Sequence, residues 1–147
     1  MDIPEVTETD LADLVLRVAR RLRRANAAEL EGSAVNPHQA RALRVVGRLE
    51  PVRMADLAER LHVAPRSATD VVEFLVADGW VERTSDPSDG RSRVVRLTGP
   101  GRALLADVDA ARARAAAETF AGVPPALRAA AAQALSVAVE GFGPRRS

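Results

Sequence analysis

The chain has 147 residues, which allows one ordinary domain and leaves too little for two comfortable ones. Hydrophobic residues make up 47% and charged residues 28%, the balance of a folded chain rather than a disordered one. The 21 basic side chains stand against 20 acidic ones, for a net charge of +1, so any affinity for a polyanion has to come from how charge is distributed. There is no cysteine, which excludes disulfides, thiolate zinc sites and thiol-based oxidant sensing. The two histidines, His38 and His62, are far apart, which argues against a His-rich metal site. The amino-terminal stretch is acidic and polar, and no apolar run approaches membrane-spanning length. A cytoplasmic protein with no cofactor and no membrane partner is the expectation.

Residues 1–9 read as a loose tail, followed by a helix from about Asp10 to about Leu30. Leu11, Leu14, Val15, Val18 and Leu22 recur at helical spacing and form one apolar stripe. Arg17, Arg20, Arg21 and Arg24 share another face, read either as solvated surface or as a supplementary phosphate contact. A second helix has a full start signal: Asn36 as cap, Pro37 at the first position and Gln39 at the third. Leu43, Val46 and Leu49 supply its buried side, and Glu50, Pro51 and Val52 break it. A short third helix carries Met54, Leu57, Ala58 and Leu61 on one face. A fourth begins at Pro65, buries Ala68, Val71, Val72 and Leu75, and stops at Asp78 and Gly79.

From Trp80 to Leu97 the period changes to two, interrupted by the turn formers of residues 85–90. This predicts a hairpin with a long tip, and Trp80 at its start as a core residue. Thr98 caps a fifth helix that runs to about Phe120. Gly122 to Pro125 separate it from a last helix that ends near Glu140, with Leu127, Ala131, Ala134, Leu135 and Ala138 as its stripe. Gly141 to Ser147 form a short basic tail.

The segment from Met54 to Leu75 fits a helix-turn-helix. Such a motif needs a small residue at the helix crossing, apolar residues that lock it, and a residue tolerant of positive φ in the turn. Ala58 is the small residue, and Leu57, Leu61, Val63, Ala68 and Val71 are the locking set. His62 takes the turn position. The second helix of such a motif enters the major groove of duplex DNA. Pro65 opens that helix, and Arg66, Thr69, Asp70 and Glu73 fall on its outer side, with Ser67 at the flank. Arg66 is the candidate for a guanine or a phosphate. Ser67 and Thr69 suit phosphates or bases. Asp70 either accepts from a cytosine amino group or orients Arg66 one turn earlier.

The hairpin carries Arg83, Arg91, Arg93 and Arg96, with Arg91 and Arg93 near its tip. Arginine on a projecting ribbon suits a narrow minor groove. Asp89 lies two residues before Arg91 and is placed to hold it by a charge-assisted hydrogen bond.

Three stretches resemble the MarR family of transcriptional regulators. They are residues 53–61; residues 65–72 with Gly79 to Arg83; and Asp86-Pro87-Ser88-Asp89-Gly90-Arg91 followed by residues 95–98 and Gly101. The order of elements matches from about Asp10 to about Glu140. The resemblance implies a homodimer in which the first helix and the last two helices interlock, and a pseudo-palindromic DNA site. It implies that Arg91 enters the minor groove with Asp89 bracing it, and that a small aromatic or phenolic acid acts as effector. Two positions depart from the family pattern: Gly90 stands where Arg is frequent, and Ala64 where a Ser or Thr cap is usual.

Dimerisation has a physical case of its own. The winged motif is too small to cover the stripes of the first, fifth and sixth helices, and a two-fold dimer buries them mutually. Leu11, Leu14, Val15, Val18, Leu127, Ala131 and Leu135 are the candidate dimer contacts. The expected fold is mainly α with a small β-hairpin wing: a winged helix-turn-helix over residues 36–98, flanked by dimerisation helices in residues 1–35 and 99–147, in one integrated domain. His38 is read as a surface or capping-turn residue, with a crevice-facing role as the alternative. The expected function is a DNA-binding regulator, a repressor rather than an enzyme. The alternative is a winged domain that packages DNA without sequence preference or contacts proteins.

Overall fold

The computed structural model describes residues 4–141. It has six helices and a three-stranded antiparallel sheet among the described residues. The helices are α1 (Glu8–Glu29), α2 (Pro37–Leu49), α3 (Met54–Leu61), α4 (Pro65–Ala77), α5 (Gly99–Thr119) and α6 (Pro125–Glu140). The strands are β1 (Val52–Arg53), β2 (Val81–Ser85) and β3 (Arg93–Leu97), in the order β1-β3-β2. The mainly α fold with a small wing is therefore what the chain adopts.

Helix starts follow local capping chemistry. Asn36 accepts from the Gln39 N–H while the Gln39 side chain accepts from the Asn36 N–H, both at 2.9 Å. The first helix begins earlier than its apolar stripe indicates, at Glu8, because Thr7 and Asp10 form a reciprocal capping box. Residues 4–7 alone remain of the expected tail within the described residues. Residues 142–147 of the expected basic tail lie outside them. Residues 50–52 do more than break α2: Val52 and Arg53 form β1, pairing with Val95 and Val94.

The core sits where α2, α3, α4, α5 and the sheet meet. Leu43, Val46, Leu57, Leu61, Val72, Leu75, Val81 and Val95 are fully buried there. Val94 is buried as well, although strand alternation puts it on the outer face of the sheet. Its ladder neighbours are Arg53 on one side and Thr84 on the other.

The sheet is tied to α5 at one tight junction. The Thr98 N–H donates to the Trp80 carbonyl at 3.1 Å, and the Thr98 hydroxyl donates to the Gly79 carbonyl at 2.6 Å. The same hydroxyl accepts from the Gly101 N–H at 3.0 Å and so caps α5. A side chain at position 101 would collide with the Trp80 carbonyl, so only glycine fits.

Two helices are left largely uncovered. On α1, Leu11, Leu14, Val15 and Val18 are 50%, 49%, 41% and 37% exposed. On α6, Leu127 and Leu135 are 60% and 46% exposed, and no residue of the helix is buried. α1 packs along α5 with its later turns, whereas α6 makes no substantial contact with any other element. A 16-residue helix is only marginally stable by itself in water, where isolated helices below about 12–15 residues barely form.

Gly101→Ala is expected to destabilise the protein by about 2–3 kcal/mol, because backbone on both sides has to move. Urea unfolding checks this, and an unchanged midpoint would count against the junction described.

Candidate nucleic-acid interface

The helix-turn-helix is built by α3 and α4. Ala58 and Ala68 are buried and let the two helices approach. His62 adopts φ 54° and ψ 44°, the left-handed conformation that ends α3. Arg41 of α2 reaches the same end, donating to the Leu61 carbonyl at 2.8 Å and the Arg60 carbonyl at 3.3 Å. It thereby satisfies two carbonyls that the helix leaves open.

α4 starts at Pro65 without a side-chain cap, since Ala64 has no oxygen to offer. Its first-turn N–H groups are left for an external acceptor. Arg66, Ser67, Asp70 and Glu73 are exposed on the same helix. Thr69 is half-buried, and its hydroxyl donates back to the Pro65 carbonyl at 3.0 Å. Its proton is therefore already used inside the helix.

The wing tip is ordered by two successive turns. The Asp89 N–H donates to the Asp86 carbonyl at 3.2 Å, and the Ser92 N–H donates to the Asp89 carbonyl at 3.0 Å. The Asp86 N–H closes the loop on the Ser92 carbonyl at 2.8 Å. The Asp89 carboxylate accepts from the backbone N–H of Arg91 at 3.1 Å and from the Ser92 hydroxyl at 3.0 Å. Asp89 thus shapes the turn through the backbone, and the Arg91 guanidinium has no ion-pair partner among the described residues. Arg91 and Arg93 are both exposed at the tip.

Arg83 does not join them. It lies at the base of the wing opposite Val95, half-buried, with its Nε hidden from solvent and without a hydrogen-bond partner among the described residues. The sequence places it on the hairpin, but strand alternation puts it on the same face as Val81, which belongs to the core.

Asp86 and Arg53 escaped sequence reasoning. Asp86 is 9% exposed and accepts from Arg53 Nε at 2.8 Å and Nη2 at 2.7 Å. Its other oxygen accepts from the Ser88 N–H at 2.9 Å and the Ser88 hydroxyl at 2.8 Å. The Ser88 backbone N–H, then the Arg53 and Ser88 side chains, pull its pKa down to about 2. In the sequence Asp86 is one turn former among several. Its partner lies 33 residues earlier, a separation that leaves no local signature.

A family model, that of the MarR family, matches residues 35–92. An uncharacterized helix-turn-helix type transcriptional regulator of Mycobacterium bovis is 33% identical over 113 residues, covering 77% of this chain and 76% of the relative. The chain belongs to the MarR family of transcriptional regulators. Solved MarR-family structures share its fold. A Mycobacterium tuberculosis MarR family protein in complex with p-aminosalicylic acid superposes with a TM-score of 0.72 at 26% identity, over 86% of this chain and 95% of that one. A mutant E. coli MarR complexed with operator DNA gives 0.74 at 23% identity, over 87% and 92%. Among the described residues no helix is long and apolar enough to cross a membrane, and no cluster of His or acidic side chains could hold a metal ion.

Asp86→Ala is expected to free the wing without unfolding the helices. Amide exchange at residues 86–92 should rise by about tenfold or more while α2 and α3 keep their protection. Because the Asp86 pKa is lowered, its contribution is present above the ordinary carboxylate value of 3.8 and is lost as pH falls through about 2. A wing that loosens already between pH 5 and 4 would contradict this assignment.

Proposed function

We propose that this MarR-family chain is a sequence-specific DNA-binding repressor that acts as a homodimer on a pseudo-palindromic operator. One observation carries the reading: the outer side of α4 and the arginine tip of the wing are both exposed, and Arg53–Asp86 holds them in one rigid piece. The N-terminal turn of α4 offers uncapped N–H groups beside Arg66 and Ser67, which suits a phosphate at the edge of the major groove. Asp70 sits one turn beyond Arg66, placed to orient it or to accept from a cytosine amino group. Arg91 and Arg93 reach the adjacent minor groove, where negative potential attracts guanidinium. A duplex partner places the protein in the cytoplasm, and no chemistry on a substrate is needed for this task.

Dimerisation follows from the uncovered helices. Leu11, Leu14, Val15 and Val18 of α1 and Leu127, Ala131 and Leu135 of α6 are all exposed in the single chain. A second copy covers them and gives α6 the packing it lacks. Two copies of α4 then stand about 34–36 Å apart, one turn of duplex.

Effector control enters where α1 and α5 meet α2. A crevice there is lined by Arg23, Asn26, His38 and Arg112, so exposed His38 borders the crevice as well as the surface. The p-aminosalicylic acid complex of the Mycobacterium tuberculosis relative supports an aromatic acid as the class of effector. A ligand wedged there shifts the dimer toward a spacing of the two motifs that no longer matches the grooves.

Arg66→Ala should weaken operator binding by about 1–3 kcal/mol and relax preference at one base position. Arg91→Ala should weaken binding to most sequences and reduce the salt slope by about one unit. Fluorescence anisotropy with DNA from upstream of the protein's own gene reads both, and unchanged affinity in both would sink the site assignment. Excess random duplex separates a regulator, which keeps its sequence, from a packaging protein, which does not. Leu14→Glu with Leu135→Glu should convert a dimer to a monomer in sedimentation. Wild-type protein that sediments as a folded monomer would refute obligate pairing.

A further inference from the structure

Thr69 of α4 sits at the edge of the helix's outer side with part of its chemistry already committed. It is half-buried, one turn beyond exposed Arg66 and beside exposed Asp70 and Glu73. Its hydroxyl donates to the Pro65 carbonyl at 3.0 Å, so it has no proton for a base or a phosphate. Two features are left for an outside partner, the lone pairs of the oxygen and the Cγ2 methyl group.

The neighbours decide between them. Asp70 and Glu73 are carboxylates that make no ion pair among the described residues. They accept hydrogen bonds more strongly than a neutral hydroxyl, so a base amino group goes to them first. The methyl group has no such competitor. Arg66, Ser67, Asp70 and Glu73 carry none. Phe74, the next exposed apolar side chain of α4, lies more than a turn further on. Among the four bases only thymine shows a methyl group in the major groove, and burying one methyl against another distinguishes it from the rest.

We propose that Thr69 reads a thymine through its methyl group and so sets one base of each operator half-site. The inference rests on the DNA-reading role proposed for α4 and names a base that this helix selects. Helix geometry gives its place. Three residues advance α4 by about 4.5 Å and one base step covers about 3.4 Å, so the thymine lies about one or two base pairs from the base that Arg66 meets.

Deoxyuridine tests this, because it differs from thymidine only by the absent methyl group. The protein first selects duplexes from a random-sequence pool. No enriched sequence overturns DNA reading and this inference together. The enriched duplex is then made with deoxyuridine at one thymine at a time, and fluorescence anisotropy reads the binding. One position per half-site should bind the wild type about threefold to fivefold more weakly, the effect of one buried methyl group. Thr69→Ser removes the methyl group and keeps the hydroxyl, and it should bind both duplexes equally at that position. Thr69→Val keeps methyl groups and removes the hydroxyl, and it should retain the wild-type ratio. Both replacements have helix propensities close to that of threonine, so both should melt like the wild type. Sequence-specific binding without a sensitive position overturns the methyl reading and leaves DNA reading by α4 standing. A sensitive position that Thr69→Ser does not alter moves the contact to another residue, Phe74 first, and overturns the inference. Loss of the ratio in Thr69→Val assigns the effect to the hydroxyl oxygen and overturns it as well.

Discussion

The ion pair between Arg53 and Asp86 is the constraint on which the proposed DNA-facing surface depends. The proposed reading head has two parts, α4 and the wing tip, separated in sequence by the whole of β2. Each serves a duplex only if its position relative to the other is fixed. Arg53 belongs to β1 and immediately precedes α3, so it is part of the helix-turn-helix. Asp86 follows β2 and opens the tip. Their bond, the pairing of β1 with β3, and the Thr98 junction with Trp80 and Gly79 make one body of helix, sheet and tip. The long tip is consequently a stapled double turn rather than a loose loop, and Arg91 projects from a rigid base.

The other governing feature is what the chain leaves unburied. A winged domain of this size has one core, and α2, α3, α4, the sheet and one face of α5 fill it. Among the described residues, the first turns of α1 and all of α6 have no substantial packing partner. In the proposed dimer a second copy removes the apolar cost of that exposure. The crevice lies where the helices left for association, α1 and α5, touch α2 of the DNA-reading body. Under the proposed effector control, a ligand there would act on the joint between the two and alter the spacing of two reading heads.

Much of this was legible in the residues because the signals were local. The Asn36-Pro37-Gln39 start, the Thr98 cap, the left-handed turn at His62 and the helical stripes each involve neighbours within four residues. What escaped was long-range or too short. β1 has two residues, fewer than any periodicity can show. The role of Asp86 depends on Arg53 across the sheet, and the burial of Val94 depends on flanking residues from two different strands. Arg83 looked like a wing arginine because hairpin membership is visible in sequence, whereas its face depends on where the core lies. The early start of α1 is set by Thr7 and Asp10, a polar pair that lies ahead of the apolar stripe.

The central claim is that two identical reading heads meet a duplex one helical turn apart. The absence of cysteine makes it directly measurable, since one cysteine introduced at exposed Glu73 of α4 gives a unique spin label per copy. Pulsed dipolar spectroscopy on Glu73→Cys protein bound to DNA from upstream of its own gene should give one narrow inter-copy distance of about 34–36 Å. No dipolar coupling between copies, or a broad distribution that DNA does not narrow, would contradict it.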